Sequence, residues 1–167
     1  MKKLILFVAV TLFAFNVNAQ DGDDSGSNGQ EGFRLGANLG TTVGDFSDWY
    51  GLAINFDVDY DFSVSDQINL GVSSGFTSYL GKDDNDYCFN YVPLAGSIDF
   101  NLSDQFSIGG DAGVAIGIEE NSGSDFLYRF QLRYQASDQV DISGRYNSIS
   151  GNGATISNVS LGVGFRF

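Results

Sequence analysis

From Leu52 to Phe62 the even positions Leu52, Ile54, Phe56, Val58, Tyr60 and Phe62 are apolar, while Asn55, Asp57, Asp59 and Asp61 between them are polar. A period of two places these sets on opposite faces of a β-strand, so this stretch separates an apolar from a polar environment. The pattern recurs about eight times, over Phe33–Val43, Leu52–Phe62, Ile68–Leu80, Tyr87–Phe100, Phe106–Ile118, Phe126–Ala136, Val140 to about Ser148, and a last strand closing the chain at Phe167. One segment breaks phase. Tyr87 and Phe89 are odd, whereas Val92, Leu94, Ile98 and Phe100 are even. A slip of phase needs an extra residue, so the reading predicts a β-bulge near Asn90–Pro93, where Pro93 also lacks a ladder donor.

The tripeptide Ser-Asp-Gln recurs at 65, 103 and 137, each time between two strands. The repeating unit is therefore strand, tight turn, strand, longer loop. The short turns gather on the side of the termini, and the longer loops near 47, 83, 122 and 152 on the other. This asymmetry predicts an all-β fold: an eight-stranded antiparallel up-and-down transmembrane β-barrel, with its short turns on the periplasmic side.

Alternation alone fits apolar-out in lipid or apolar-in, as in a secreted soluble barrel holding an apolar ligand. Three features favour apolar-out. The polar face is rich in Gly, Ser and Asn, which suits the narrow interior of an eight-stranded barrel. Aromatics gather at strand ends: Phe33, Tyr60, Phe62, Phe100, Phe106, Tyr134, Phe165 and Phe167 at one rim, and Trp49, Tyr50, Tyr87, Phe89, Phe126, Tyr128 and Tyr146 at the other. Bilayer interfaces select such girdles. Finally, all five arginines, Arg34, Arg129, Arg133, Arg145 and Arg166, fall on the polar face with Asp57, Asp59, Asp61, Asp99, Asp111 and Asp141. That face sums to −1, so a paired charge network closing the lumen is expected, with Arg34 and Asp61 near one another at the periplasmic rim.

At the N-terminus, Lys2-Lys3, the apolar run Leu4–Phe15 and Val17-Asn18-Ala19 have the layout of a secretory signal over residues 1–19. The twelve-residue run is too short to span a bilayer as a helix. Residues 20–31 are Asp, Gly, Ser, Asn, Gln and Glu, an acidic leader expected to be disordered, and the barrel domain follows over 32–167. Without Lys2 and Lys3, six cations face 21 anions, a net −15 that excludes a phosphate-binding, nucleic-acid role. Cys88 is the only cysteine and reads as a small strand residue.

The signal, the hairpin array and the terminal Val159-Ser160-Leu161-Gly162-Val163-Gly164-Phe165-Arg166-Phe167 together resemble bacterial outer-membrane β-barrels. Tyr91-Val92-Pro93-Leu94 is similar to a segment of the small Bacteroidetes-type members. The resemblance implies a place in the cell outer membrane and contact with its lipid, and a monomer is expected. It also implies that the barrel-assembly machinery reads Phe165 and Phe167 as the assembly signal.

Some family members are lipid A acyltransferases or deacylases that use a histidine as general base, and this chain has no histidine. A general base works best with a pKa near ambient pH, so no enzyme is expected. No Cys/His metal cluster is present, and the acidic segments 82–86 and 119–120 lack the spacing of a dedicated calcium site, so no cofactor or metal is expected. The reading is thus a non-enzymatic barrel with a structural or loop-mediated role. The alternatives are a narrow conduit for small solutes and the soluble ligand carrier.

Overall fold

The alternating segments form eight antiparallel strands in a computed structural model of the chain, which describes residues 31–82, 87–119, 122–151 and 153–167. They are β1 (Gly32–Val43), β2 (Tyr50–Ser65), β3 (Ile68–Gly81), β4 (Cys88–Asn101), β5 (Phe106–Gly117), β6 (Ser124–Gln135), β7 (Val140–Gly151) and β8 (Ala154–Arg166). Each pairs with its neighbours in sequence, and β1 closes on β8. The expected secretory signal, the leader up to residue 30 and the acidic loop segment 83–86 lie outside the described residues.

The register fixes the shape of the barrel. From Gly32 the row of paired residues runs through Asp61, Gly71, Ser97, Asp111, Arg129, Asn147 and Asn158, and re-enters β1 at Thr42, ten positions further on. A slide of about 33 Å over a perimeter of about 38 Å tilts the strands by about 40° and leaves a radius of about 8 Å. That row lies on the lumen side of the sheet, so one spiral carries both charged and amide side chains up the interior.

The barrel is apolar outside. Leu161 is 72% exposed, Phe130 63% and Leu39 57%, whereas Arg34 is 0% and Asp57 3% exposed. This orientation sets aside the soluble carrier, whose apolar residues would have to line the cavity. At the periplasmic rim the expected aromatics meet as edge-on or tilted pairs, with ring centroids 4.7 Å apart for Phe33–Tyr60 and 4.9 Å for Phe106–Tyr134.

The bulge expected near Asn90–Pro93 is absent. The β4–β5 register runs unbroken from Tyr91 opposite Gly117 to Asn101 opposite Ser107. On the other side Ser74 faces Leu94 and Thr77 faces Tyr91, with no residue inserted between. The phase never slips, because Phe89 and Tyr91 point inward rather than at lipid. The irregularities lie in β2 instead, between Tyr50 and Leu52 and between Ser63 and Ser65. The first turns Tyr50 inward as well, so Tyr50 and Phe89 leave the extracellular girdle to which alternation assigned them.

The Ser-Asp-Gln repeat has a local cause. The Ser103 hydroxyl accepts from the N–H groups of Gln105 (3.4 Å) and Phe106 (3.1 Å), and the Ser137 hydroxyl from Val140 (3.1 Å). A side-chain oxygen there stands in for a missing backbone partner, which is why serine suits turns. The glutamine carbonyls link each turn to the strand beyond. Gln67, Gln105 and Gln139 accept from Asn101, Gln135 and Arg166 at 2.8–2.9 Å. Replacing Ser103 by Ala is expected to cost about 1 kcal/mol, read as a lower urea midpoint for unfolding from lipid vesicles. An unchanged midpoint would assign the turn to its backbone bonds alone.

Candidate functional site

The interior is layered along the barrel axis, and the layers follow from which strand end supplies each side chain. The periplasmic layer holds Arg34, Arg133 and Arg166. Arg34, near the start of β1, donates from Nε and Nη2 to both oxygens of Asp141 (2.7 and 2.6 Å) and from Nη1 to Asp59 (2.9 Å). One guanidinium therefore ties β7, β1 and β2 together across the seam where the barrel closes. Arg166 reaches Asp61 at 3.2 Å, and Arg133 lies 3.1 Å from Asp99 and 3.6 Å from Asp61. The lumen leaves no spare room here. A Cβ on Gly164 would strike the Arg34 guanidinium, one on Gly109 the Asp99 carboxylate, and one on Gly71 the Asp61 carboxylate.

The next layer is centred on Asp57. It accepts from Arg145 (2.6 Å), Arg129 (3.1 Å) and Asn38 (2.7 Å), which come from three different strands. Arg129 also lies 3.0 Å from Asp111 and donates to Ser73 at 2.9 Å. Gln131 joins the two layers, donating to Asp99 (3.1 Å) and accepting from Arg145 (3.3 Å). Above this, neutral pairs take over: Thr77 donates to Asn55 at 3.0 Å and Asn147 to Asn158 at 2.7 Å.

The extracellular end is apolar. Ala53, Tyr79, Tyr91, Ala115, Leu127, Ile149 and Ile156 are buried together, with Phe46, Tyr50 and Phe89 packed on them. Tyr79 stacks near both Phe89 and Tyr91, with centroids 6.1 and 6.2 Å apart. The loop after β1 bends over this cluster through bonds from Ser47 to Gly44 and from Trp49 and Tyr50 to Phe46, which holds Phe46 in the mouth. A pocket of about 170 Å³ remains there, and Asp125 is among its lining residues.

All eleven charged residues singled out in the sequence thus lie on the lumen side, and each arginine touches at least one aspartate. Arg34 and Asp61 share the periplasmic end but take different partners, because Arg34 stands opposite Asp59 in the ladder. Phe165 and Phe167 lie at the periplasmic rim, both exposed, with ring centroids 5.0 Å apart; the Phe167 amide donates to Phe33 at 3.0 Å.

The alternation of polar and apolar residues did not reveal the apolar plug. It also left Asp125 in a loop, whereas Asp125 belongs to β6 and shares the inward phase of Leu127 and Arg129. That parity was the available signal. A polar seam on the outer wall was missed too: Tyr146 donates to Ser157 (3.1 Å), and Ser150 meets Thr155 (2.7 Å).

Comparison with solved structures finds the same barrel at low sequence identity. The crystal structure of Ail, the attachment invasion locus protein of Yersinia pestis, is 18% identical over 83% of this chain and 100% of its own, with a TM-score of 0.58. The N-terminal β-barrel domain of Pseudomonas aeruginosa OprF is 16% identical over 82% of this chain and 98% of its own, with a TM-score of 0.57. The outer membrane enzyme PagL is 16% identical over 80% and 99%, with a TM-score of 0.59. No curated protein matches the chain. The family described as the outer membrane protein beta-barrel domain matches residues 7–167. With its closed eight-stranded wall, apolar outside and charged within, the chain belongs to that family and resides in the outer membrane.

Proposed function

We propose that this protein is a non-enzymatic, non-conducting monomeric barrel that acts structurally or through its extracellular loops. The observation that carries this reading is the filling of the lumen, with a guanidinium–carboxylate lattice in the periplasmic half and an aromatic and aliphatic plug at the extracellular end. A hydrated ion would have to displace both, and breaking buried ion pairs costs several kcal/mol each. A catalytic role finds no support in the side chains: the chain has no histidine, and the six lumen aspartates of the network are each engaged by arginine. The fold shared with PagL, an enzyme, carries no residue chemistry at this identity. Residues 1–19 serve as a secretory signal and the acidic residues after them as a periplasmic leader. The barrel-assembly machinery reads Phe165 and Phe167.

Planar-bilayer recording on the purified protein is expected to show no steady conductance, and steady single-channel steps would overturn the closed-lumen reading in favour of a narrow conduit. Asp111 has Arg129 as its ion-pair partner, whereas Asp57 keeps Arg145 when Arg129 is lost. Arg129→Met is therefore expected to destabilise the barrel by about 3–5 kcal/mol, and adding Asp111→Leu to recover most of that, measured by reversible unfolding in lipid vesicles. An equal loss in the single and double variants would show that Asp111 carries no buried charge needing Arg129. Phe167→Ala is expected to lower the yield of heat-modifiable protein in the outer membrane severalfold while leaving vesicle-refolded stability within about 1 kcal/mol. An unchanged yield would remove its role in assembly.

A further inference from the structure

Among the described residues seven carboxylates face the interior of this barrel, and six of them contact arginine. The seventh is Asp125, on β6 opposite Ala115, and among the described residues no cation pairs with it. It stands in the pocket of about 170 Å³ at the extracellular mouth, against Phe46, Tyr50, Phe89, Ile149 and Ile156. Gly151 makes the space: a Cβ there would coincide with the Asp125 carboxylate. Lys82 lays its stem against Gly51 and, among the described residues, forms no ion pair.

Asp125 is half-buried beside aromatic and aliphatic walls, and a partner that brings a positive charge together with apolar surface matches both parts of that lining. Ring faces attract cations through their quadrupole, so Phe46, Tyr50 and Phe89 add to the same preference. The surroundings agree in sign. Asp45, Asp48 and Glu119 lie in the loops on this side and outnumber Lys82 there, a balance that draws cations and turns anions away. The pocket opens to the extracellular solvent rather than to lipid, because Phe89, Ile149 and Ile156 carry the inward phase of their strands. Its volume holds roughly five or six waters, the size of a small ammonium compound with one apolar group. We propose that the extracellular mouth binds a small organic cation, its ammonium group on Asp125 and its apolar body against Phe46, Tyr50 and Phe89.

The test uses benzyltrimethylammonium, titrated against the full chain in phospholipid nanodiscs and followed by amide NMR shifts. Saturable shifts at Asp125, Ile149 and Ile156 are expected, with a Kd of about 1 mM or tighter. Asp125→Asn should weaken binding about tenfold and Phe89→Leu severalfold. Asp45→Asn, on the same side but outside the pocket, should change it less than about twofold. Benzyl alcohol, which lacks the charge, should bind wild type and Asp125→Asn alike. The absence of saturable shifts overturns the proposal, as does an equal loss in Asp45→Asn and Asp125→Asn, which would mean diffuse attraction by the acidic rim. Should Asp125→Asn fail to fold, unaltered affinity in Phe89→Leu would overturn the site by itself. None of these outcomes depends on whether the lumen below conducts.

Discussion

Five guanidinium groups must be neutralised inside a cylinder of about 8 Å radius, and much else in this molecule follows from that requirement. A buried cation is tolerated when carboxylates meet it with good geometry, and the arginine fork lets one residue serve two of them. Arg34 spans Asp59 and Asp141, Arg129 spans Asp57 and Asp111, and Arg133 spans Asp61 and Asp99. Lumen glycines follow from the same requirement, because Gly71, Gly109 and Gly164 sit where a methyl group would displace a carboxylate or a guanidinium. The lattice also joins strands far apart in sequence, so it supports closure of β1 on β8 in addition to the backbone ladder.

The two ends of the lumen are built from different chemistry. In the periplasmic half the inward positions are ionic, neutral polar or glycine, while at the other end Tyr79, Tyr91, Leu127 and Ile149 exclude water as a soluble core would. Such a partition separates what holds the barrel shut from what meets the outside. Charges tied to one another offer nothing to a ligand, whereas the mouth keeps a carboxylate and three aromatic rings at the boundary with solvent. Apart from the seam of Tyr146, Ser157, Ser150 and Thr155, the outer wall answers to lipid, with mostly aliphatic side chains between rings at the rims.

Strand number, topology and the direction of each face were legible in the sequence, because a period of two leaves only two choices of face. The tally of charge on one face then chose between them. The Ser-Asp-Gln turns were legible for a local reason as well, since the serine hydroxyl bonds within its own turn. Phase near the extracellular rim was not legible. An aromatic residue there suits either lipid headgroups or a plug, and alternation assigned Phe89 and Tyr50 to the wrong one.

What the linear pattern determined by itself was the barrel, its orientation and the set of charges facing inward, all of which depend on neighbours one or two positions apart. Which arginine takes which aspartate, and which carboxylate is left over, was decided only by the tertiary structure. The ten-residue slide of the sheet on closing brings Arg34 beside Asp141 rather than Asp61 and leaves Asp125 among rings at the mouth. That slide is a property of the closed sheet, and no short window of sequence contains it.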